Sequence, residues 1–204
     1  MSRAVLIAGV LTLALTALRL YGELEGWDPK YFNREAGGGA ALLGITWLVP
    51  IFGLWFGARL ARNGKAPAKV GRAIALPLIG FLLMAGVFVL QFQVLELEGN
   101  AAMTLFWITG PVCAFFGIVA WPALAGTNLI YGVLARAPIV ALTYWAISNN
   151  WDVHHAKLPP SAPTMTDDER KFALSMAQVT LWVPFTILAG GFFGGIGAAL
   201  TRKK

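Results

Sequence analysis

Charge is what this chain has least of: only 16 basic and 10 acidic residues are spread over 204 positions, and residues 4–18 contain none. Water is therefore not the main solvent of the fold. Cysteine is scarcer still, with Cys113 alone inside an apolar run, which excludes an intrachain disulfide and any Cys-x-x-Cys motif. Its position suits a small packed hydrophobe. The two histidines, His154 and His155, are adjacent and lie outside every apolar run. Their placement excludes a bis-histidine haem between helices and a helix-borne His-x-x-x-His zinc site. No run holds paired carboxylates, a serine with a histidine, or an aspartate-rich prenyl-phosphate motif, so no membrane-enzyme constellation is visible.

What the chain has in quantity is apolar sequence, 57% of residues, with a mean hydropathy of +0.67. It falls into six runs, about 4–23, 39–60, 73–95, 102–123, 131–149 and 172–200, each near the roughly 20 residues that cross a hydrocarbon core. The expectation is an all-α integral membrane protein, a six-helix transmembrane bundle forming one domain over residues 1–204. The first run is read as a retained helix, because no small-x-small site followed by polar sequence succeeds it. In the fifth, residues 124–138 have two readings: they cross within one helix containing Arg136 and Pro138, or they lie at the interface before a shorter crossing.

The connections are sorted by sign. The second carries only bases, Arg59, Arg62, Lys65, Lys69 and Arg72, whereas the third carries Glu96 and Glu98 and no base. Lys and Arg are retained on the cytoplasmic side during insertion, which puts residues 59–72 there and, by alternation, both termini, including Arg202, Lys203 and Lys204. This reads as a multi-pass protein of the plasma (inner) membrane. The same rule accounts for the net charge of +6 without a nucleic-acid partner. Trp27, Trp145 and Trp151 lie outward, as interfacial anchors do.

A threefold repeat is a further expectation, three helical hairpins in tandem. Arg3-Ala4, Arg72-Ala73 and Arg136-Ala137 open the odd-numbered runs, and each even-numbered run pairs a threonine with a proline: Thr46 and Pro50, Thr109 and Pro111, Thr180 and Pro184. Pro50 and Pro184 would free the carbonyls of Thr46 and Thr180, which hydrocarbon cannot satisfy. The six residues, with Arg136, are the candidate solute path; packed kinks are the bland alternative. Arg136 itself reads either as an ionisable group at depth or as a side chain snorkelling to the cytoplasmic headgroups. Arg19 reaches the outer headgroups or pairs with Glu23 one turn on.

Gly190, Gly191, Gly194 and Gly195 make two overlapping Gly-x-x-x-Gly pairs, and Gly53 and Gly57 share the spacing, so these helices should pack closely, within the chain or against a second copy. The triple glycine Gly37-Gly38-Gly39 reads as a flexible or close-packed start to the second run rather than an anion site. Asp152, His154 and His155 are a weak metal set, needing a turn to converge on acidic partners; Asp167 or Thr166 suits a cap for the last helix.

Three functions fit: a small-solute or ion transporter or channel, a non-catalytic accessory or scaffold subunit of a membrane complex, or a metal-handling or enzymatic protein using the outer Asp/His loop. No resident cofactor is indicated. Membrane lipid is the expected neighbour, with a homo-oligomer or larger assembly as the expected protein context.

Overall fold

The computed structural model describes residues 3–38, 41–159 and 162–201. Gly39 and the basic tail Arg202, Lys203 and Lys204 lie outside them. Among the described residues the secondary structure is entirely helical: α1 (Arg3–Leu24), α2 (Pro29–Phe32), α3 (Leu48–Arg62), α4 (Val70–Val89), α5 (Gly99–Ala120), α6 (Pro122–Ser148), α7 (Asp167–Ala177) and α8 (Val183–Thr201). A π-helical turn at Leu90–Val94 extends α4, and another at Gln178–Trp182 joins α7 to α8.

Five continuous helices are long and apolar enough to cross a membrane: Arg3–Leu24, Val70–Val94, Gly99–Ala120, Pro122–Ser148 and Asp167–Thr201. Their ends follow local chemistry. Gly99, the first residue of α5, takes a positive φ of 64° and Asn150 one of 54° after α6, conformations that bound a helix. Thr166 closes a capping box with Glu169 at the start of α7.

The second apolar run departs from expectation. Only its 15-residue α3 is α-helical, about 22 Å at 1.5 Å per residue, against a hydrocarbon core of about 30 Å. Ahead of it Gly44 is extended and a 3-10 turn spans Ile45–Trp47, glycine holding a helix poorly. The fifth run departs in the other direction. Pro122, with its φ already suited to a first helical turn, starts a 27-residue helix that absorbs the segment in question. Arg136 is thereby moved from a helix start to the middle of α6, and the Arg-Ala dipeptide no longer marks equivalent positions in three hairpins.

Glycine contacts set the packing around α8. A methyl group added to Gly53 would strike the backbone of Gly190, and one added to Gly57 the backbone of Gly194. The ascending order makes α3 and α8 parallel neighbours within one chain. One step around α8, Gly191 meets the Pro77 ring and Gly195 meets Ala73 and Ile74 of α4. Asn128 and Leu124 of α6 press on Gly190 and Gly194. Small residues let the helix axes approach closely enough for dispersion and Cα–H contacts to hold helices where no hydrophobic force separates them from lipid. The outer surface is correspondingly oily, with Leu6, Val10, Leu11, Ile51, Leu82 and Val112 exposed, as suits a membrane-embedded protein. Cys113 is buried with Met84 and Leu188.

Enlarging the seam should cost about 1–3 kcal/mol of overpacking per site. Gly53→Val should therefore lower the detergent melting temperature clearly, whereas Gly126→Ala, where an added methyl meets nothing within 4 Å, should leave it unchanged or raise it.

Candidate functional site

The threonine and proline positions divide between two places. Thr109 and Thr180 are buried, but their hydroxyls donate to their own helices, to the Leu105 carbonyl at 2.7 Å and the Met176 carbonyl at 2.8 Å. Pro184 follows the π turn, and the Thr180 carbonyl four residues before it lies against Gly110, whose missing side chain makes the space. Pro111 stands next along α5. Here the backbone irregularity is filled by a neighbouring helix. Thr46 is half-buried in the 3-10 turn ahead of α3, and Pro50 sits in the first turn of α3, where a missing amide donor costs little.

A different set of polar groups gathers on the inner face of α1. Thr12, Thr16, Arg19 and Glu23 are all buried, while Leu6, Ile7, Val10, Leu11, Leu13 and Leu18 face outward. Their spacing of four, three and four residues is a polar stripe on an otherwise apolar helix, turned inward because the surroundings outside are oil. Thr12 hydrogen-bonds Tyr131 of α6 across the bundle at 2.9 Å. Arg19 donates its Nε to Glu23 at 2.8 Å and its terminal nitrogens to the carbonyls of Leu43, Asn33 and Gly38. One guanidinium thus ties the α1–α3 connection over the end of α1.

Glu23 has no exposed surface and takes a second partner from the α6–α7 loop. The His154 backbone amide donates to it at 3.0 Å, and the His154 ring nitrogen Nδ1 lies 2.5 Å from its other oxygen. The rings of His154 and His155 are 3.7 Å apart between centroids. Burial, partly offset by Glu23, pushes His154 below its ordinary range; burial, the neighbouring His154 and the positive Arg19 and Arg136 push His155 well below it. Asp152 lies elsewhere: Lys157 at 2.8 Å and Arg34 at 3.2 Å hold it, the Lys157 hydrogen bond doing most to lower its pKa. The loop brings His154 to Glu23 and not to Asp152, and among the described residues no group of three or more His, Cys, Asp or Glu could hold a metal ion.

Deeper, Arg136 is only 6% exposed at the middle of α6. Its guanidinium lies 4.7 Å over the Trp182 ring, and one terminal nitrogen reaches Gln178 Oε1 at 3.4 Å. The Nε has no partner, and no carboxylate among the described residues forms an ion pair with the group. Gln178 and Trp182 are the first and last residues of the π turn, so the helical irregularity presents both to Arg136. The snorkelling alternative does not describe this side chain. Sequence reading singled out Arg136 and paired Arg19 with Glu23, but it missed the α1 stripe and Gln178. The inverted polar spacing at residues 12, 16, 19 and 23 was the available signal; nothing local predicted the π turn.

Acid should loosen the end of the molecule that holds Glu23, His154 and His155. Unfolded histidine titrates near 6.5 and these folded rings titrate lower, so the unfolded state binds more protons as pH falls through that interval. Stability is then complete above about pH 7 and declines toward pH 5, read as a falling melting temperature, and His155→Gln should flatten that decline. In comparisons with known proteins, no described family, no curated protein and no solved structure matches this chain.

Proposed function

We propose that this protein is a small-solute or ion transporter or channel, in which Arg136 holds a small anion near the middle of the bilayer. The observation that supports this most is the buried guanidinium without a carboxylate. Placing a cation at membrane depth is costly, and where no protein anion neutralises it, a transient anionic solute supplies the missing charge. Trp182 and Gln178 then shape the site beside it, and the Nε supplies a free donor.

The polar groups around Arg136 are Gln178 and Trp182 of the π turn, His155 toward the α6–α7 loop, and Tyr131, which hydrogen-bonds Thr12 of α1. Of the path expected from sequence, Arg136 carries this reading. Thr109, Pro111, Thr180 and Pro184 serve instead to seat α5 on the π turn. In the same reading α3 is a sixth, short crossing, the base-rich end faces the cytoplasm of the plasma membrane with both chain termini, and lipid covers the exposed leucines and valines. The accessory-subunit reading draws on the dry glycine contacts around α8.

Protein reconstituted in phosphatidylcholine vesicles containing some phosphatidylglycerol should release loaded chloride, nitrate or formate faster than protein-free vesicles. Arg136→Gln should reduce that flux about tenfold or more, in line with the roughly 1.5–3 kcal/mol of a charged hydrogen bond. No flux of any of the three from folded wild type, or equal flux from folded Arg136→Gln, rejects the proposal.

A further inference from the structure

A second unpaired group of cations lies at the other end of the molecule. Between the α3–α4 connection and the α5–α6 turn is a cavity of about 520 Å³ with Lys65, Lys69 and Arg72 on its wall. None of the three pairs with a carboxylate among the described residues. Every acidic residue belongs to the opposite end: the end of α1 and the loop after it, the α4–α5 and α6–α7 connections, and the start of α7. Among the described residues no carboxylate compensates the positive charge here.

The cavity is built rather than left between loose loops. The Trp121 indole is 5% exposed and donates to the Lys65 carbonyl at 3.1 Å, tying the α3–α4 connection to the head of α6. Arg72 donates to the Val119 carbonyl at 3.2 Å, tying α4 to the end of α5 and leaving its other donors unused by protein. Pro122 and Ala123 bring the first turn of the 27-residue α6 to the same wall, with no side chain capping it, so the positive end of its dipole adds to the lysines. Ala66, Val119 and Ala120 make the remainder apolar.

We infer that this cavity binds the phosphate headgroup of an anionic phospholipid from the adjoining leaflet. Three cations and a helix start match a phosphate monoanion. The ends of four apolar helices place the cavity where headgroups lie, and the apolar wall accepts the start of the acyl chains. A free phosphate shares the charge but gains nothing from that wall.

Native mass spectrometry of the full chain in mild detergent, with added phosphatidylglycerol, phosphatidylcholine or inorganic phosphate, tests this. Phosphatidylglycerol should stay bound in preference to phosphatidylcholine and raise the melting temperature, less so in high salt. Replacing Lys65, Lys69 and Arg72 together with Gln should weaken its retention by at least about tenfold, whereas Arg59→Gln with Arg62→Gln should not. If the triple variant does not fold, Lys69→Gln alone, at an exposed side chain, should show part of the loss. Equal retention by folded wild type and variant, or equal loss in the Arg59 and Arg62 control, overturns the inference. Stabilisation by inorganic phosphate as great as by phosphatidylglycerol assigns the cavity to free phosphate and overturns the lipid.

Discussion

Backbone-to-backbone approach along α8 is the constraint from which the arrangement follows. In lipid, apolar side chains gain little by leaving one oily environment for another, so helices associate where their surfaces fit most closely. Gly190 and Gly194 admit α3, and Gly191 and Gly195 admit α4. With α6 pressing on the first pair through Asn128 and Leu124, one helix orders three others. The glycine surface is consumed inside the chain, and the outward faces are left to leucine, isoleucine and valine.

That arrangement decides the environment of the polar residues. Once α6 lies against α8 and α1 against α6, the stripe Thr12, Thr16, Arg19 and Glu23 has no lipid to face; Thr12, Arg19 and Glu23 find partners inside, and the buried Thr16 hydroxyl has none among the described residues. Glu23 finds Arg19 and His154, both at the same end of the molecule. Arg136 finds an aromatic face and one amide oxygen, which stabilise a guanidinium without neutralising it. The difference between these two arginines is that one is paired with a carboxylate and locks loops, and the other is buried without one.

Much of this was legible in one dimension. Apolar runs and their punctuation located five long helices, four of them to within about five residues and the fifth with its start nine residues late, because helix length is set by hydrocarbon thickness and helix ends by glycine, asparagine and proline. The pairing of Arg19 with Glu23 was legible because it is local, one helical turn apart. The Gly-x-x-x-Gly spacing announced close contact without saying between which helices. The second run read as longer than α3 is, because hydropathy counts a glycine such as Gly44 as apolar without registering how weakly it supports a helix.

The sequence by itself determined the solvent, the approximate helices, the segregation of charge to opposite ends and the presence of close-packing surfaces, since each is a property of composition or of residues within one or two turns. Tertiary structure alone decided that Gly53 meets Gly190, that Glu23 receives His154 from 131 residues away, and that the π turn carries Gln178 and Trp182 to Arg136. Those pairings depend on which helix faces which, and in a bilayer that choice is made by shape complementarity between surfaces distant in the chain, a quantity no local pattern encodes.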